Sequence, residues 1–199
     1  MTRKQYGFTL IEIAIVLVII GLLLGGVLKG QELINSAKVK NLAGDFKNIQ
    51  TYIYGYQDKY KAFPGDDAGY LTHLGASAVA GTGGTLASGI IQGKWSDTGT
   101  IETHVFWQHV RLANLATGPI DTSTDIRPDN AVGGKVGITN AAESPISGLT
   151  GSYIVCSNAI PGKFAKQLDV TLDNQDTSTG SLRVVAAGTS VATSALDNA

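Results

Sequence analysis

Cysteine is almost missing from this chain: Cys156 is the only one in 199 residues. No disulfide can form within the chain, so noncovalent contacts must pin its C-terminal segment. Histidine is nearly as scarce, with three residues. His104 and His109 flank Trp107, but two histidines five apart do not share a helical face. No third ligand stands beside them, so the pattern reads as packing rather than zinc binding. Catalytic signatures are absent as well: there is no GxSxG elbow, no HExxH and no Cys–His arrangement. Gly81–Gly84 and Gly89–Lys94 lack the spacing of a phosphate-cradling loop. Basic charge is short where a nucleic acid would need it. Residues 63–199 hold seven Lys/Arg against twelve Asp/Glu, whereas residues 8–62 hold six against four. A net −5 beside a net +2 argues against a broad phosphate-binding face, leaving only local contact by a small basic patch, and gives no strong support for nucleic acid as a partner.

Charge is missing most completely near the start. Arg3 and Lys4 lead to Gly7, and from Phe8 to Leu28 the only charged residue is Glu12. About 20 apolar residues in helical form span the ~30 Å hydrocarbon core of a bilayer. The two basic residues predict a cytoplasmic N-terminus. A secretory signal peptide fits poorly, because its apolar region is about 7–15 residues long and precedes the cut. Glu12 is the anomaly. A carboxylate deep in such a span costs on the order of 2.5–3.5 kcal/mol and calls for a partner. A cut between Gly7 and Phe8 would create a free α-amino group one turn from Glu12. Between two staggered helices, the amine of one could neutralise Glu12 of the next, making the buried charge a register device.

Gly7-Phe8-Thr9-Leu10-Ile11-Glu12 resembles the prepilin peptidase motif of the type IV filament superfamily, which includes type IV pilins and the pseudopilins of type II secretion. The resemblance implies several things. The leader 1–7 is removed by a prepilin peptidase that also methylates the new N-terminus at Phe8, and Glu12 serves subunit docking. The partners are homologous pilin or pseudopilin subunits. The location is the bacterial inner membrane, then a periplasmic or extracellular filament. It also implies a structural subunit rather than an enzyme. A single-pass, membrane-anchored periplasmic enzyme or binding protein is the alternative; it would need neither the cut nor Glu12. Two departures matter. Lys29 stands where major pilins commonly have proline, and the C-terminal disulfide loop of many pilins is missing. Both point to a low-copy minor pilin or pseudopilin.

After the span, Val39, Leu42, Phe46, Ile49, Ile53, Tyr56 and Tyr60 recur at spacings of 3 and 4. That stripe predicts an amphipathic helix over 31–62 packed on a sheet. Phe63-Pro64-Gly65 ends it. Gly25, Gly26 and Gly30 are tolerable in a lipid-embedded helix, because the backbone hydrogen bonds have no competitor there. Residues 68–101 read as irregular loop. Glu102–Ala116 reads as a short helix stopped by Gly118-Pro119. Lys135–Thr139, Ser152–Ser157 and Leu182–Ala187 read as strands, and a helix starts at Pro161. Residues 189–199 read as a frayed end.

The expected fold class is therefore α+β: a long N-terminal helix packed on a small antiparallel sheet. Its segments are 1–7 leader, 8–30 membrane or filament-core helix, 31–62 amphipathic helix, and 63–199 globular head. Asp173–Gly180 is an acidic turn, similar to turns that bind Ca²⁺ in major pseudopilins. Its spacing is not that of an EF-hand. It is read first as a polar turn without a cofactor, with Ca²⁺ held by Asp173 and Asp176 as the alternative.

Overall fold

The computed structural model describes residues 9–185 and, as backbone, 194–197. The chain divides into two compact units, Met1–Lys38 and Val39–Ala199. One helix, α1 (Leu10–Tyr60), runs through both. Gly21, Gly25, Gly26 and Gly30 do not interrupt it. The helix stops three residues before the expected breaker at Phe63-Pro64, because Lys61 takes a left-handed backbone, φ 56°.

In the second unit the elements follow as α2 (Tyr70–Leu74), α3 (Glu102–Leu112), β1 (Val136–Thr139), β2 (Ile154–Ser157), α4 (Gly162–Leu172), β3 (Leu182–Val184) and β4 (Ser194–Asp197). The four strands form one antiparallel sheet in the order β1-β2-β4-β3. The expected α+β class holds. Two expectations need correction. α2 lies inside the stretch read as loop. The stretch read as frayed contains β4, which pairs with β2 and β3 and so sits inside the sheet. The proposed extension of the third strand to Ala187 runs outside the described residues.

Side-chain alternation explains why β1 and β2 are buried on both faces. Val136, Ile138 and Val155 point into the main core, with Leu42, Phe46, Ile49 and Ile53 of α1, Phe106 and Val110 of α3, and Phe164 and Leu168 of α4. Ile154 and Cys156 point the other way, into a smaller cluster with Trp95, Ile146 and Leu149. Gly137 is needed there, since a Cβ would meet the Trp95 carbonyl oxygen at 2.5 Å. The apolar stripe of α1 is the stripe that is buried: Val39, Leu42, Phe46, Ile49, Ile53 and Tyr56 are all 6% exposed or less.

α3 is not amphipathic. Ten of its eleven residues, Glu102–Arg111, are buried. It ends at Leu112, short of the expected Ala116, because Asn114 turns left-handed at φ 61° and the N–H groups of Leu115 and Ala116 both fold back onto the Val110 carbonyl.

Candidate functional site

Gly7 and Phe8, the residues of the expected cut, lie outside the described residues. The described part of the site begins at Thr9, which caps α1. Its backbone N–H and hydroxyl both donate to Glu12 Oε2, at 2.8 and 2.6 Å, and the Glu12 N–H donates back to Thr9 Oγ1 at 3.3 Å. This reciprocal arrangement is a capping box. It gives the carboxylate a local job that the charge argument alone does not find, although Thr-x-x-Glu before an apolar run is its sequence signature. Both bonds fall on Oε2. Among the described residues Oε1 has no donor, and a carboxylate has lone pairs to spare.

From Leu10 onward the apolar residues face outward; Leu10 is 92%, Leu22 72% and Leu28 67% exposed. No residue of the most apolar window is buried inside the protein. An unbroken hydrophobic surface of that length is unstable in water and is suited to a bilayer or to other helices of the same kind.

The second unit shows a different use of polar side chains. Those of α3 hold the irregular segments on either side of it. The Gln92 N–H donates to Glu102 Oε2 at 2.7 Å, and Thr103 donates to the Lys94 carbonyl. Gln108 accepts from the Val79 N–H and donates to the Ser77 and Ile120 carbonyls. Arg111 donates to the carbonyls of Thr117 and Pro119.

The two histidines of α3 are engaged at both ring nitrogens. His104 Nδ1–H donates to the Gly99 carbonyl and Nε2 accepts from the Ile126 N–H. His109 Nε2–H donates to the Val79 carbonyl at 2.9 Å and Nδ1 accepts from the Gly65 N–H at 3.0 Å. Their job is to fix backbone, which leaves neither nitrogen open to a metal. Burial holds His109 below the usual histidine range, against the Val79 carbonyl and the charge of Asp67.

Three buried carboxyls lie around this helix. Asp67 accepts from Tyr56, Gly69 and His73, each at 2.7 Å. Burial works against its charge, but the bonds from His73, Tyr56 and Gly69 outweigh it and hold the carboxyl below the usual range. Asp66 accepts from the Ser88 and Gly89 N–H groups. Glu102 is pushed up to about 7 by burial, with Asp66 adding to the effect. Among the described residues its Oε1 has no hydrogen-bond partner.

The acidic turn is used by the backbone around it. Asp173 Oδ2 accepts from the Leu182 N–H at 2.8 Å, and the Thr177 carbonyl accepts from the Val184 N–H. Together they cover the N–H groups on the outer edge of β3, which sits at the edge of the sheet. Asp176 Oδ1 accepts from the Ser178 N–H and hydroxyl. Among the described residues no group of three or more His, Cys, Asp or Glu side chains is placed to hold a metal ion.

Residues 2–28 match the family model described as the prokaryotic N-terminal methylation motif. No curated protein and no solved structure matches the chain significantly.

Proposed function

The chain carries the N-terminal methylation signal of type IV pilins and pseudopilins, and from that premise we propose that it is a structural subunit of a type IV pilus-like or type II secretion filament. In this reading the precursor sits in the inner membrane by its apolar helix, with Arg3 and Lys4 on the cytoplasmic side. A prepilin peptidase hydrolyses the Gly7–Phe8 peptide bond, and the new Phe8 amine receives a methyl group. Methylation keeps that amine protonatable, so it remains a cation. The subunit then leaves the bilayer for the filament, where its exposed helix surface packs against other subunits.

The observation that carries the reading is the coincidence of three features in one segment: the motif over residues 2–28, the unburied apolar span and Glu12 as that span's single charge. The Phe8 amine of a neighbouring subunit is the partner proposed for Glu12 Oε1. Lys29 in the place of proline and the lone Cys156 support a low-copy subunit, a minor pilin or pseudopilin; its share of filament mass, measured by quantitative mass spectrometry, tests that. We propose no cofactor; the backbone hydrogen bonds that Asp173 and Asp176 accept support the reading of a polar turn.

Two substitutions separate docking from capping. Glu12→Gln keeps a side chain able to complete the capping box but removes the charge, whereas Glu12→Ala removes both. We expect both variants to be inserted, cleaved and methylated, and both to be missing from sheared filaments. Normal incorporation of Glu12→Gln would mean that the carboxylate is only a cap.

A further inference from the structure

One half-buried acid of the second unit has nothing to pair with. Asp45 sits on α1 beside the apolar stripe and makes no hydrogen bond and no ion pair among the described residues. Every other described carboxyl that is buried or half-buried accepts from a donor, except Asp169, which is fully covered. Asp45 instead lines a hollow of about 90 Å³ together with Tyr52 of the same helix, Trp107 and Arg111 of α3, and Asp129. All of these residues belong to one compact unit, Val39–Ala199. The other charges of the hollow are already used. Arg111 donates to the carbonyls of Thr117 and Pro119, and its guanidinium lies over the Trp107 ring, 5.8 Å from the centroid. Asp129 is paired with Lys135 at 2.8 Å. Burial pushes the Asp45 carboxyl up to about 6, and no neighbouring cation offsets that. Its charge is therefore held at a cost that a bound cation would relieve.

The lining narrows the kind of cation. A hard metal ion such as Ca²⁺ takes about 6–8 oxygen ligands, and one free carboxylate is too few. Softer metals want His or Cys, and neither lines the hollow. An organic ammonium needs only one carboxylate for its charged end. Its apolar stem can lie along Ile49 and Val136, which form part of the wall, and the Tyr52 ring attracts cations as well. We propose that this hollow is a binding site for the end of an alkylammonium chain, with Asp45 as its counter-charge. A free small amine and the side chain of a lysine in another protein present that same group. The inference does not depend on the filament reading, because every residue it uses lies in the second unit.

The test titrates the full-length chain in detergent with n-butylammonium chloride, against sodium chloride at equal ionic strength. Trp107 lines the hollow and Trp95 does not, so tryptophan fluorescence should change saturably with the amine and not with sodium. Asp45→Asn keeps the shape and removes the charge; it should weaken binding by about tenfold or more, while its melting curve shows that it is folded. Tetramethylammonium, which has no N–H to donate, should bind about tenfold more weakly than butylammonium. No saturable change in the unaltered chain overturns the proposal, as does equal binding by Asp45→Asn or by tetramethylammonium. Two further measurements on the unaltered protein separate the sources. A low-mass amine retained in native mass spectra of the purified chain identifies a free ligand. After carbodiimide treatment of whole cells, an amide joining Asp45 to a lysine of another protein, formed with loss of water, identifies a side chain. If neither is found, the hollow is a solvent-filled gap and the proposal falls.

Discussion

Replacing His109 by phenylalanine tests whether α3 organises the second unit through its polar side chains. The ring's packing survives the change, since His109 is stacked with Tyr56 and Tyr70 at centroid distances of 6.2 Å. What is lost is the acceptor for the Gly65 N–H and the donor to the Val79 carbonyl. Gly65 is buried, and a buried donor left without a partner costs about 1–3 kcal/mol. Adding a smaller loss at the half-buried Val79 carbonyl gives about 2–4 kcal/mol in all, or roughly 10 °C in Tm at about 2–4 °C per kcal/mol for a unit of this size. Trp95 and Trp107 are 4% and 2% exposed, so their fluorescence reports the melting of the full chain in detergent. The substitution has a second signature. His109 is held below its ordinary value of 6.5, so the unfolded chain takes up a proton first as pH falls. Stability is therefore complete above about pH 6.5 and is lost below it, through the lower folded value. His109→Phe should remove that part of the acid sensitivity. A loss under about 0.5 kcal/mol, the size of an ordinary surface change, or an unchanged acid slope would refute this account of α3.

Glu102 should behave in the opposite sense. Its carboxyl is raised from 4.5 to about 7, so between those values the unfolded chain ionises while the folded one resists, and stability falls as pH rises. Glu102→Gln should therefore raise Tm at pH 8 by a few degrees and change it little at pH 4; an equal effect at both would refute the cause given. For the acidic turn, Asp173→Ala should lower Tm by an amount matching about 1–2 kcal/mol, the cost of exposing the Leu182 N–H, and added Ca²⁺ should leave the Tm of the unaltered chain in place. A rise with Ca²⁺ would show ligand binding by mass action and restore the metal reading of Asp173 and Asp176.

What could be read from the sequence was whatever depends on period and on local charge. The 3–4 spacing from Val39 to Tyr60 marks the buried face of α1, and Pro161 marks the start of α4, because both are one-dimensional signals. The membrane-length run and Glu12 are legible for the same reason. α3 was legible as a helix and its histidines as packing residues, but the burial of Glu102, Gln108 and Arg111 was not, since the loops that cover them carry no periodic signal. Loop 68–101 looked structureless because its order is imposed from outside, by Gln108, His109 and Glu102. β4 was missed for a different reason. Ser194-Ala195-Leu196-Asp197 has no β-branched residue, so its strand character comes from pairing on both sides rather than from propensity. Thr9 was the legible signal left unused, since its spacing to Glu12 is that of a capping box.

Assembly as a filament subunit requires that the apolar helix become the N-terminus of the mature protein. The most direct test of this is the intact mass and N-terminal peptide of the full-length chain, recovered from cells that have a prepilin peptidase. The expected product is a chain that begins at Phe8 and carries one methyl group on its α-amine. Recovery of Met1–Gly7 still attached to an otherwise mature, membrane-bound protein would contradict it, and would favour an anchored periplasmic enzyme or binding protein instead.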